Sequence, residues 1–513
     1  MSDVPAEASP ATTRPWLWRV LGASALILIP SVLALVLLAT KFQGLRLSST
    51  LEQAQIARHV AAGDGLTTDS IRPLSLAFRP ELRHHPDLYH APAHPLVLGF
   101  AYSVFRPSDR LTAAVGLCFW IASVLLTFIL ARRWFDPLVA SVASILYCCN
   151  VAMLRAALLG MPYPLVALFL LMAAGLAVPK LREEDAPAAE TESSGLRLAG
   201  VGFFCGLAAM SHYLFFFIAP AVGVPLALSR RRKGRAFLFF ALGLLAVAVP
   251  WIIRNLRWGR GPFFSLYWYE ALAGTDAFPG DTVWRSMTAA ATDPVEFMIF
   301  HPIQTARKAM SGLVRFWQES LPVVDPIVAF LFVTALIGRA SARWRVVLWS
   351  VAASVILAVG ASVVLRAEPE ILLAWTPLLA IVGAAQLVSL LQDWVDGISM
   401  RPHWEKQWIR SVFKSPSRAR RAVQGVATAL ILAAVGFPLF HFIWVYRADP
   451  YAISPDAAAL KQLVPEQSTV LTDQPAFVAW YAQRRSVWLF MDEKAWDRIE
   501  SKGGTIDAAY ITP

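Results

Sequence analysis

The chain is 513 residues long, 57% of them apolar and only 16% charged, with a mean hydropathy of +0.53. That is too apolar for a soluble domain of this length, and the repeated long apolar runs mark a polytopic membrane protein. A formal charge of +11 would suggest nucleic acid in a soluble chain. Here the Lys and Arg fall in short segments between apolar runs, the signature of cytoplasmic loops, so no nucleic-acid partner is expected.

Residues 1–16 are rich in Pro, Ala and Ser and are expected to be a disordered cytoplasmic amino terminus. The apolar run Val20–Thr40 is longer than a signal-peptide core and is read as a retained first span. Windows of about 17–25 apolar residues then place spans near 111–131, 137–157, 162–178, 197–212, 214–229, 236–254, 322–338, 345–365, 370–391 and 422–445. The fold class that follows is an all-α membrane bundle of about eleven helices, with amphipathic helices in its outward loops. The four cysteines, Cys118, Cys148, Cys149 and Cys205, all lie in apolar spans and read as packing residues.

Parity settles orientation. Arg14 and Arg19, Arg132 and Arg133, Lys180 and Arg182, Arg230 to Arg235, Arg339 to Arg345, and Arg401 to Arg421 all fall on the amino-terminal side. The amino terminus is therefore expected in the cytoplasm of a multi-pass inner-membrane protein, with loops 41–110 and 255–321 and residues 447–513 outside. The membrane module is 17–446. Two short spans within 197–229, meeting at His212, are needed to keep this parity.

The first outward loop opens with Leu51, Ile56, Ala57, Val60 and Ala61 at helical spacing. Ser49 and Thr50 can cap this amphipathic helix and Gly63-Asp64-Gly65 ends it, so it is expected to lie flat at the membrane surface. Its second half sets His84, His85, Asp87, Tyr89, His90 and His94 among Pro80, Pro86, Pro92 and Pro95, which fix the backbone and turn these polar groups toward one space. The histidines are of a type that binds zinc, but their spacing matches no standard motif, and no metal site is assigned. The second outward loop carries Arg254, Arg257 and Arg260 among Trp258, Tyr267, Trp268, Tyr269 and Trp284. One reading is an aromatic belt with snorkelling arginines; the other is a site for an anionic lipid head group. Arg366, Glu368 and Glu370 share a short turn on the same face. After Arg447, STVLTD, SVWLF and IDAAYITP read as strands alternating with short helices, a small α/β segment.

Three motifs together resemble the GT-C glycosyltransferases, in particular the protein O-mannosyltransferases and lipid A aminoarabinose transferases. They are Ala57-Arg58 with Gly63 and Gly65, Pro92 with His94-Pro95-Leu96, and Pro250-Trp251 with Arg254-Asn255. Asp473-Gln474-Pro475 with Ala479-Trp480-Tyr481 and Arg484 is similar to the outward segment of bacterial members. The resemblance implies sugar transfer from a polyprenyl-phosphate donor to an acceptor on the extracytoplasmic face. It implies membrane lipids and a lipid-linked sugar as partners and leaves open a divalent metal.

Such a reaction needs a carboxylate to take the acceptor proton and cations to stabilise the departing phosphate. The position where relatives carry the acid is Ser49 here. Glu52, three residues on and on the same helical face, is the first catalytic candidate, and Asp87, among the histidines, the second. Glu52 also fits a first-turn carboxylate that steadies its own helix. Arg58, Arg254 and Arg366 are the phosphate candidates, with Arg79 and Arg257 behind them; Tyr89 and His94 complete the expected substrate-binding set. The rival readings are a noncatalytic GT-C-like lipid-binding scaffold, supported by Ser49, and a transporter, for which only His212, His441 and Arg155 offer polar groups near span ends.

Overall fold

The computed structural model describes residues 15–178, 193–228, 230, 232–258, 261–320, 322–338, 342–399, 416–447, 451–501 and 504–512. The expected disorder of residues 1–16 falls almost wholly outside these. So do Arg14, Lys180, Arg182, Arg260, Arg339 and the basic stretch 401–415.

Helices dominate. Among the described residues five are long and apolar enough to cross a membrane: Asp109–Trp134, Lys233–Arg257, Trp344–Val364, Pro369–Asp393 and Thr428–Val445. A sixth span arises if Pro137–Cys148 and Val151–Leu158, bent by 55° at the Cys149–Asn150 break, count as one. Shorter apolar helices include Ser24–Thr40, Tyr163–Ala177, Gly195–Ser211 and Pro326–Ile337. The chain is an integral membrane protein.

The break expected within 197–229 is present. The helix Ser193–Ser211 ends where His212 is extended (φ −158°, ψ 124°), a 3-10 turn Tyr213–Phe217 follows, and Ile218–Leu228 continues as a helix. His212 caps that turn through its own ring nitrogen, which accepts from the Leu214 N–H. Small residues let the helices approach closely. A Cβ on Gly243 would lie 1.8 Å from the Ala199 carbonyl, and one on Gly202 would lie 1.9 Å from that of Phe240.

Helix α1 spans Pro15–Thr40 and helix α2 spans Ser48–Ala62. α2 differs from expectation in two ways. It begins before Ser49 and Thr50, with Leu47 at the cap position and no side-chain cap, and the Thr50 hydroxyl turns back to the Leu47 carbonyl. It is also enclosed rather than laid on a surface, because Thr50 to Ala57 are all buried. The helix Ala93–Val104 packs along it, close enough that a Cβ on Gly99 would meet Val60 at 2.6 Å. That short helix is not continuous with the next span. It stands apart because Ser108 caps a separate helix, Asp109–Trp134. α2 stops where expected, at Gly63 in the left-handed region (φ +91°).

The only sheet among the described residues has four parallel strands in the order β1-β3-β2-β4. β2 (Thr469–Thr472), β3 (Arg485–Trp488) and β4 (Ala508–Tyr510) come from the end of the chain. β1, only Ser70–Ile71, comes from the first loop, with Ser70 opposite Ser486 and Ile71 opposite Val487.

Candidate active site

α2 turns three polar residues into protein, and each finds a partner. Gln53 Oε1 meets His94 Nδ1 at 2.6 Å, and Gln55 Oε1 accepts from the Thr68 hydroxyl at 3.0 Å. Glu52 sits at the centre, 5% exposed. Ser70 Oγ donates to its Oε1 at 3.1 Å, Arg72 Nη2 donates to its Oε2 at 2.6 Å, and His90 Nε2 lies 3.1 Å from the same oxygen. β1 carries Ser70, and Arg72 follows it directly, so pairing with β3 sets two of the three partners of this carboxylate.

The opposite wall is the segment 87–90, folded by its own polar groups. Asp87 accepts from the backbone N–H of Tyr89 and His90 and, at 3.2 Å, faces His90 Nδ1. His90 therefore lies between two carboxylates, Asp87 and Glu52. Burial alone would raise the Glu52 carboxyl, but Arg72 and His90 outweigh it and hold the carboxyl at about 2. Burial likewise opposes a charge on His90, yet Asp87 and Glu52 raise it to about 9. At neutral pH the group is carboxylate, imidazolium, carboxylate and guanidinium in a row.

From this row the polar contacts continue in two directions. Arg254 Nη2 donates to the Asp87 carbonyl, its Nη1 to the Asn255 side chain, and its guanidinium lies over Trp251 at 4.3 Å. Among the described residues it makes no ion pair. Beside it Trp251, Asn255, Tyr213, Phe216, Phe263 and Trp268 are among the residues lining an apolar cavity of about 300 Å³. In the other direction Arg72 stacks on the Tyr89 ring at 4.1 Å, and the Tyr89 hydroxyl donates to Glu270. Arg366 lies 3.7 Å from Glu270 and 3.0 Å from Glu368, and Glu368 also meets His212 at 3.1 Å and the Tyr163 hydroxyl at 3.2 Å.

Glu52, Asp87, Tyr89, Arg254 and Arg366 are thus linked through one chain of contacts. His94 adjoins it through Gln53; burial lowers its ring to about 3, so it stays neutral. Two expected phosphate residues lie elsewhere. Arg58 donates to the carbonyls of Ala479 and Trp480, at 2.8 and 3.1 Å, tying α2 to the end of the chain. Arg79 reaches the Arg257 carbonyl at 3.1 Å. Arg72, Ser70 and Glu270 did not stand out in sequence, because none lies in a motif, and His212 stood out only as a break between spans.

The helical bundle is similar in fold to solved structures of the GT-C class. Similar solved structures include the aminoarabinose transferase ArnT of Cupriavidus metallidurans bound to undecaprenyl phosphate, at TM-score 0.55 and 14% identity, covering 96% of this chain and 94% of that one. The apo form of the same protein matches at TM-score 0.57 and 15% identity, covering 95% and 90%. The oligosaccharyltransferase AglB of Archaeoglobus fulgidus, in complex with an inhibitory peptide and a dolichol-phosphate, matches at TM-score 0.53 and 12% identity, and the match spans 92% of this chain but only 64% of that longer one. No protein-family model matches the chain, and no curated protein aligns with it significantly.

The archaeal enzyme has also been solved with zinc and sulfate. The described residues around Glu52 do not suit a divalent ion. No group of three or more His, Cys, Asp or Glu side chains among the described residues could hold one. Around Glu52 both His90 nitrogens face carboxylates and the Arg72 guanidinium already takes the place of a cation.

Proposed function

We propose that this protein is a membrane glycosyltransferase that moves a sugar from a polyprenyl-phosphate donor to an acceptor at the extracytoplasmic face. What carries the reading is the placement of Arg254, without an ion pair among the described residues, between the buried Asp87–His90–Glu52 row and an apolar, aromatic cavity. A lipid phosphate would seat its phosphate on the Arg254 guanidinium and its first isoprene units against Trp251 and Phe263. Arg366, paired with Glu270 and Glu368, has less charge to offer a phosphate. Arg58 and Arg79 serve the fold on this reading.

Transfer breaks the bond between the anomeric carbon and the phosphate oxygen as the acceptor oxygen or nitrogen bonds to that carbon. The phosphate leaves on the lipid and the acceptor loses its proton. Glu52 takes that proton and its charge steadies the positive anomeric carbon; Asp87 holds His90 in line. A carboxyl near 2 is a weak base, but an acceptor bonding to so electron-poor a carbon becomes strongly acidic, so a weak base suffices.

The accompanying topology is the one parity demands: about eleven spans within 17–446, the amino terminus in the cytoplasm of an inner-membrane protein, and residues 447–513 outside as a small α/β domain. One observation favours a second reading, a lipid-binding scaffold without catalysis: Ser70, Arg72 and His90 all engage the Glu52 carboxylate.

Binding of undecaprenyl phosphate to the purified full chain by native mass spectrometry tests the carrier site. Saturable binding that Arg254→Ala weakens about tenfold is expected, and no binding by the wild type would refute it. Transfer of a labelled sugar from the lipid by the wild type then separates enzyme from scaffold.

A further inference from the structure

The 3-10 turn Leu266–Ala271 carries Tyr267 and Glu270, and residues three apart in such a turn project to the same side. The Tyr267 ring packs against Tyr89 at 5.7 Å and against His212 at 5.7 Å. Tyr89 is hydrogen-bonded to Glu270, and His212 is paired with Glu368. Tyr267 thus stands among the groups that hold both carboxylates. Yet its own hydroxyl, on a side chain 5% exposed, has no hydrogen-bond partner among the described residues. A buried hydroxyl is rarely left this way without a role, because it has lost its water and gained nothing. Burial, and then the charge of Glu368, pushes the phenol well above its ordinary range, so it stays protonated and able to donate.

The surroundings select a ligand class. Two carboxylates disfavour an anion, and an unpaired hydroxyl is wasted on an apolar chain. Arg366 lies against both carboxylates and already supplies a cation there. A ring that carries several hydroxyl or amino groups on a C–H face fits all of these. Its polar groups can donate to Glu270 and Glu368 and accept from Tyr267, while its face packs on the tyrosine rings. The Arg366 side chain is 46% exposed, so the cluster reaches the surface.

We propose that Tyr267, Glu270 and Glu368, closed by Arg366, form the subsite for the sugar ring of the donor, with the Tyr267 hydroxyl donating to one of the sugar's polar groups. The proposal rests on the transferase reading and divides the arginines: Arg254 holds the phosphate and Arg366 serves the sugar.

The test compares binding of bare undecaprenyl phosphate with undecaprenyl phosphates carrying a hexose, a pentose or an amino sugar, on the purified full chain. The wild type is expected to bind at least one glycosylated lipid more tightly than the bare one. Tyr267→Phe, which keeps the ring, is expected to cut that preference about 3- to 10-fold, one hydrogen bond's share, and to leave the bare lipid unchanged. Glu270→Gln is expected to show the same selective loss. The subsite is overturned if no sugar improves binding while the bare lipid still binds, if the preference survives both variants, or if both lipids weaken together. Absence of binding by any of the lipids would instead overturn the transferase reading on which the subsite stands.

Discussion

Arg72 and Glu52 meet at 2.6 Å, with both side chains nearly enclosed, and the strand that presents Arg72 is held by the far end of the sequence. Removing one partner of a buried ion pair leaves an uncompensated charge, which typically costs about 3–5 kcal/mol. Arg72→Ala is therefore expected to lower thermal stability in detergent and to raise the Glu52 carboxyl from about 2 toward or above 4.5. Arg72→Lys keeps the charge and is expected to recover part of both. Equal stability of wild type and Arg72→Ala would contradict the pairing.

The same row sets a pH window. Glu52 is lowered to about 2 from 4.5, so its contribution is present above pH 4.5 and is lost as pH falls through 2. His90 is raised to about 9 from 6.5, so its contribution is full below pH 6.5 and is lost as pH rises through 9. Thermal stability should be highest between about pH 4.5 and 6.5 and decline on both sides. His90→Gln should flatten the alkaline decline while keeping the acid one. A decline unaffected by this substitution would assign it to other groups.

Asp109 ties the end of the chain to the start of the site. It accepts from Trp480 Nε1 at 2.7 Å, from the Tyr481 hydroxyl at 2.6 Å and from the Tyr451 hydroxyl at 3.1 Å. Asp109→Asn turns an amide donor toward donors and is expected to cost about 1–3 kcal/mol. Hydrogen exchange should rise in 455–482 and around β1, and the proposed transfer should fall although Asp109 lies outside the Asp87–His90–Glu52 row. Unchanged exchange at Ser70–Ile71 would uncouple the two regions.

Gly99→Ala tests how tightly α2 is held. The added methyl would lie 2.6 Å from Val60 and 3.1 Å from the Ala57 carbonyl, so α2 must shift. A cost of about 1–3 kcal/mol and a drop in transfer are expected; Gly425→Ala, which meets nothing within 4 Å, serves as the control.

The helical membrane class was legible because apolar length is a strong signal, and Gly63 and His212 were readable as a stop and a break. The site was legible only in part. Glu52, Asp87 and Arg254 could be picked out by charge and motif. Arg72 and Ser70 could not, because a two-residue strand has no periodicity, and it becomes a strand only when Ser486 and Val487 supply its partner. Around Arg58, sequence shows a charge on α2 but not the carbonyls of Ala479 and Trp480 to which it donates. Helical spacing suggested a surface helix for α2, while the buried Glu52, Gln53 and Gln55 show that its polar face is turned into protein as well as its apolar one.

The most direct measurement is sugar transfer in proteoliposomes from a panel of undecaprenyl-phosphate sugars, comparing wild type with Glu52→Gln at matched protein levels and matched lipid-phosphate binding. A base that takes the acceptor proton contributes about 10²- to 10⁴-fold, so the variant should bind the lipid as the wild type does and lose transfer by that factor. Undiminished transfer by Glu52→Gln would contradict the assignment of Glu52 as the catalytic carboxylate.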